Sequence, residues 1–181
     1  MSDSPVSGGI RHRDLLGIYV NDHLMAATGG IELVRRMLGS HRGDKYQQPL
    51  EQLLGQLREE RSAHLKMAQT LGTPVRQYKQ LASWVGEKVA RVKPNGHLLS
   101  RSPLSDVLEF EFIASAVLAK RAGFETLREV AEAEPSLDKD LLDRLVTQAD
   151  KQHEWLAEAR REVAATVFGG RSEPASEVAG G

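Results

Sequence analysis

Glu60 and His64 are the residues of this 181-residue chain whose type and spacing most directly permit chemistry. They interrupt the stretch from Pro49 to Gly72, PLEQLLGQLREERSAHLKMAQTLG. There Leu50, Leu53, Leu57, Glu60, His64, Met67 and Leu71 recur at steps of three and four. That spacing is one seam of a helix facing other helices. A carboxylate and an imidazole one turn apart on such a seam need a partner, a proton or a metal, because a lone buried charge is too costly. Further candidates lie elsewhere in the chain. Asp150-Lys-Gln-His153 sets a carboxylate and an imidazole at i, i+3, and Glu111 follows Glu109 in an apolar segment. In the first long segment Asp22, His23 and Glu32 are the nearest polar groups of this kind.

The elements that must position these groups are helices. From about Arg11 to Leu38 the seam is Leu16, Val20, Leu24, Ala27, Ile31, Val34 and Leu38. Gly29 and Gly30 thin its middle, which suits a closely packed neighbour. The run SHRGD turns the chain, so the Pro49–Gly72 helix should return antiparallel. Thr73-Pro74 reads as a cap and first helical position for a shorter helix over about 74–93, with a valine stripe and a basic face of Arg76, Lys79, Lys88 and Arg91. Ser102-Pro103 opens the next helix, which runs to about Ala133. It carries two candidate seams: Leu104, Leu108, Glu111, Ser115, Leu118, Ala122, and beside it Val107, Phe110, Ala114, Val117, Arg121, Phe124. Pro135 breaks it, and Ser136 or Asp138 caps a last helix to Phe168. Its expected register is Val146, Ala149, His153, Leu156, Arg160, Val163 and Val167. Residues 1–10 and 170–181 read as disordered tails around a single helical domain at 11–169.

Composition narrows the function classes. Hydrophobic residues make up 40% and charged residues 27%, the profile of a globular domain. The formal net charge is −1, which gives no electrostatic case for nucleic acid or an anionic membrane. The chain has no cysteine, so disulfides, thiolate metal sites and cysteine nucleophiles are excluded. The N-terminal residues lack the pattern of a secretory signal and no apolar run approaches a membrane span, so the expected location is the cytoplasm. No pair of histidines sits at i, i+4 and no HExxH occurs. His12, His41 and His97 fall near helix ends or loops and are expected to be solvated.

Two short-linked hairpins joined by one long helical crossover, with acids and histidines aimed inward, make the chain resemble the ferritin-like superfamily. The resemblance covers about Asp14 to Phe168. It implies an all-α, ferritin-like four-helix bundle. It also implies a metal pair held by a Glu from each of two helices and a Glu-x-x-His pair from each of the other two. The carry-over gives Glu60 and His64 (at i, i+4 rather than i, i+3), Glu111, and Asp150 with His153 (Asp in place of Glu). Asp22 or Glu32 would come from the first helix. Oxygen and imidazole donors of this kind suit iron or manganese.

Two functions follow. The preferred reading is a diverged, non-catalytic bundle that keeps a buried carboxylate/His layer and acts through assembly, as a homo-oligomer, or through partner binding. In that layer Arg61, Arg121 or Arg160 would pair with the carboxylates, and the histidines would donate hydrogen bonds. The alternative is a di-iron or di-manganese carboxylate protein that oxidises ferrous iron or reacts with oxygen or peroxide. In either case Glu60, His64, Glu111 and His153 are expected at similar depth and within reach of one another, because clustered polar groups satisfy one another.

Overall fold

A computed structural model describes residues 12–73 and 102–169; the expected basic helix at 74–93 and both expected tails lie outside them. The described residues form four long helices and no strand: α1 (His12–Ser40), α2 (Gln47–Thr70), α3 (Pro103–Val130) and α4 (Lys139–Phe168). The local signals behave as their chemistry requires. Ser102 accepts from the Leu104 amide with Pro103 at the first helical position, and Asp138 accepts from the Leu141 amide. Gly72 closes α2 at φ +71°, a left-handed conformation that glycine adopts without strain.

Cross-helix contacts fix the directions. Gly17 lies against Thr73, and Arg61 donates to Thr28, so α1 and α2 run antiparallel. Arg36 pairs with Glu109 and His23 lies on Gly123, so α1 is also antiparallel to α3. Lys120 meets Gln152 and Arg128 meets Asp143, which makes α4 antiparallel to α3. Both being antiparallel to α1, α2 and α3 run parallel to each other. Gly30 faces Ile113 across the α1–α3 contact, in keeping with the close packing expected of the thin stretch.

Apolar packing divides into two clusters. One gathers Ile31, Val34, Leu50, Leu53, Leu57, Phe110, Val117 and Leu156. The other gathers Leu16, Val20, Met67, Leu71, Phe124, Leu127 and Leu142. On α2 the break between them falls at Glu60 and His64, and on α3 it falls at Lys120. A polar layer therefore crosses the middle of the bundle.

Of the two candidate seams on α3 the second is the buried one, and on α4 the buried face overlaps the expected register without matching it throughout. On α3 the core takes Val107, Phe110, Ile113, Val117, Phe124 and Leu127. The stripe through Leu104, Leu108 and Leu118 faces solvent instead, together with Phe112. Both stripes are apolar; the one bearing two phenylalanines buries more surface and faces inward. On α4 the core takes Leu142, Leu145, Val146, Ala149, Gln152, Leu156, Ala159 and Val163. Val146, Ala149, Leu156 and Val163 are where the expected register puts them, but Gln152 and Ala159 take the inward positions expected of their neighbours His153 and Arg160. The link between α1 and α2 also departs from expectation. His41 is buried rather than solvated, packed edge-on against Tyr46 and Phe110, with Asp44 at 2.7 Å from Nδ1.

Candidate functional site

All four helices contribute to the polar layer. α2 supplies Glu60 and His64, each only 1% exposed, as the seam spacing requires. α3 supplies Lys120, whose side chain is 11% exposed and whose Nζ donates to Glu60 Oε2 at 2.5 Å and to Gln152 Oε1 at 2.5 Å. α4 supplies Gln148 and Gln152, whose amide nitrogens donate to Glu60 Oε1 at 2.8 and 2.9 Å. Gln152 also donates to Gln56 Oε1 at 2.8 Å. Both oxygens of Glu60 are thus engaged: one by an ammonium, the other by two carboxamides. A buried carboxylate is tolerated on these terms, paired and with its remaining lone pairs bonded.

α1 closes the layer with His23, whose ring stacks on His64 with centroids 6.1 Å apart and planes 15° apart. Tyr19 packs edge-on against His23, and Phe124 packs against His64. The His23 ring occupies the space a side chain at Gly123 would need, since a Cβ there would lie 2.8 Å from both ring nitrogens. Gly123 in the middle of α3, unfavourable for helix formation alone, makes room for this contact.

Electrostatics follow burial. The His64 imidazole is pushed down to about 4, chiefly by desolvation, with His23 and Lys120 adding to the effect. It is neutral at pH 7. Its Nδ1 lies 3.1 Å from the Glu60 carbonyl oxygen, which can only accept, so the proton resides on Nδ1. Burial also lowers His23. Desolvation lowers the Lys120 ammonium, and the adjoining Glu60 carboxylate opposes that.

The other sequence-derived candidates are not part of this layer. Glu111 is 45% exposed, with Arg160 at 4.0 Å. Asp150 is 53% exposed and held by Arg121, which also pairs with Glu125. His153 is half-buried beside the seam, one position from Gln152. Asp22 is exposed, and Glu32 is exposed and paired with Arg35. Among the described residues no three His, Asp or Glu side chains converge where a metal ion could be held. The expected depth is right for Glu60 and His64, while their expected companions Glu111 and His153 are replaced by Lys120, Gln148 and Gln152. Of the arginines considered as counter-charges, Arg121 and Arg160 act at the surface and Arg61 binds Thr28. The signal that locates Lys120 is the seam itself: Phe110, Ile113, Val117, Lys120, Phe124 and Leu127 alternate by three and four.

Behind the glutamines a cleft of about 810 Å³ opens between α2 and α4. Pro49, Leu53 and Trp155 give it apolar walls, and Gln56, Gln148 and Gln152 form a polar floor. No described helix is long and apolar enough to cross a membrane. Comparison with known proteins gives no match: no family model, curated protein or solved structure is significantly similar to this chain.

Proposed function

We propose that this chain is a diverged, non-catalytic ferritin-like bundle that acts through binding and assembly. The observation that carries the reading is Lys120. Its ammonium sits on Glu60 Oε2, where a carboxylate-bound metal would otherwise supply the positive charge. A cation fixed to the chain serves the same electrostatic need without an exchangeable ion. The hairpin order and the parallel run of α2 and α3 support the ferritin-like arrangement. Iron or manganese would need Glu111, Asp150 and His153 turned inward beside Glu60, and these side chains do not fit such a centre. Protein purified without chelator is expected to carry no stoichiometric iron or manganese in elemental analysis. One or two equivalents retained through dialysis, and lost with Glu60→Gln, would overturn the proposal.

The solvent-facing side of α3 supports assembly as the mode of action. Leu104, Leu108, Phe112 and Leu118 form an exposed apolar stripe on one helix, a feature that commonly marks an interaction surface. Two antiparallel copies of one stripe complement each other about a twofold axis, so the partner is a second copy of this chain. Sedimentation velocity at micromolar concentration is expected to give a dimer that Leu108→Glu with Phe112→Glu converts to a folded monomer. A wild-type monomer at that concentration would exclude assembly through this face.

A further inference from the structure

The cleft between α2 and α4 is not used by the assembly face, and its floor has a fixed polarity. Lys120 can only donate, so the atom of Gln152 beside it must be the carbonyl oxygen. The Gln152 NH2 is thereby turned toward Glu60 and Gln56. The Glu60 carboxylate can only accept, so Gln148 presents its NH2 to it. Gln56 in turn accepts from Gln152 through its carbonyl. The ion pair therefore sets all three carboxamide orientations, assignments that ordinarily rest on the surrounding hydrogen-bond network. Within this network Gln148 spends only its NH2 and Gln56 only its carbonyl. Gln148 keeps a carbonyl acceptor and Gln56 an NH2 donor, and both residues line the cleft.

We infer that this cleft binds a small neutral ring bearing a carbonyl beside an N–H, the edge presented by a lactam or a pyrimidine base. The ligand carbonyl accepts from the Gln56 NH2, and the ligand N–H donates to the Gln148 carbonyl. Its ring lies against Trp155 and Leu53. A volume of about 810 Å³ exceeds what one such ring needs, and apolar walls with a few placed polar groups are the usual composition of a small-molecule site. The mouth carries Arg144 and Lys151, with Asp143 engaged by Arg128, so a substituent on the ring would extend into a basic rim. Burying the Gln56 and Gln148 groups under a ligand lacking either function would leave one of them unsatisfied, which is the source of selectivity.

The test uses the full chain and three probes, uracil, 2-pyridone and N-methyl-2-pyridone, observed by saturation-transfer difference NMR at millimolar concentration. Uracil and 2-pyridone are expected to bind. N-Methyl-2-pyridone, which has the carbonyl but no N–H, is expected to bind at least about tenfold more weakly, the effect of one lost hydrogen bond in a desolvated site. Gln56→Leu is expected to weaken 2-pyridone by a similar factor with the helical circular dichroism unchanged. If neither uracil nor 2-pyridone binds, or the methylated and unmethylated rings bind alike, the inference is wrong. Equal binding of 2-pyridone to wild type and a folded Gln56→Leu protein overturns it as well. The methylation comparison is made on wild-type protein, so it decides the matter even if the variant does not fold.

Discussion

Replacing Lys120 by Met is expected to destabilise the fold by about 3–5 kcal/mol, because it leaves the Glu60 carboxylate buried without its counter-charge. Met keeps most of the apolar stem and fills the same space among Val117, Phe124 and their neighbours, so the loss reports the charge rather than a cavity. In a chain of this size that loss lowers Tm by roughly 6–20 °C. It is also a large fraction of the roughly 5–15 kcal/mol that ordinarily separates native from unfolded states. The double variant Glu60→Leu with Lys120→Met is the decisive comparison. A well-packed apolar pair in place of a buried ion pair is often neutral, or stabilising by about 1–4 kcal/mol. The double variant should therefore recover most of what the single one loses, giving a coupling of several kcal/mol in a double-mutant cycle by urea denaturation. It should still lose selectivity in the cleft, because Gln148 and Gln152 no longer have an ion pair to orient them. A Lys120→Met protein as stable as wild type would mean that the layer is hydrated and that Glu60 needs no ammonium.

Glu60 and His64 were legible in the sequence because α2 has one clean seam, and a charged or imidazole group on it has nowhere else to point. α3 is apolar on two faces, and periodicity alone does not choose between them. The stripe with Leu104, Leu108 and Leu118 is as regular as the one with Phe110, Phe124 and Leu127. Choosing the former brings Glu111 inward and hides Lys120, which then looks like an ordinary surface lysine with a long apolar stem. On α4 most of the expected register is buried, and the difference lies at two positions, where Gln152 and Ala159 face inward in place of the adjacent His153 and Arg160. His153 attracts attention because imidazole can ligate or titrate. Gln152 does neither, yet it holds the seam position and binds Lys120, Glu60 and Gln56 together. The identity of the layer depends on contacts between helices far apart in the chain, such as Glu60 with Gln148, and no local pattern encodes those pairings. His41 is a similar case. It falls in a short polar link, but that link folds onto Phe110 of α3 and takes the imidazole inside.

Lowering the pH from 6.5 to about 4 is expected to remove about 3 kcal/mol of stability through His64 alone. The sign follows from where the proton binds. In the unfolded chain this imidazole takes up a proton near its ordinary value of 6.5, whereas burial holds it off in the folded chain until about 4. Between those values the unfolded state binds more protons, so stability falls as the pH falls and is fully retained above the unfolded value. The surroundings oppose a charge on His64 from several sides. Lys120 on α3 is cationic, and Phe124 on the same helix is apolar. His23 on α1, itself lowered by burial, resists protonation in the same window and adds to the loss. Glu60, one turn away on α2, is the nearby anion, and its oxygens are already committed to Lys120, Gln148 and Gln152. His64→Leu isolates the effect. The Glu60 carbonyl that accepts from Nδ1 also lies within the i→i−4 ladder of α2, so losing the imidazole leaves no buried acceptor without a donor. Urea denaturation across this range should show the His64→Leu profile flattened by about 3 kcal/mol relative to wild type. A wild-type His64 that titrates near 6.5 by NMR, or equal slopes for the two proteins between pH 6.5 and 4, would show that the imidazole reaches water and that the layer is not closed on its α1 side.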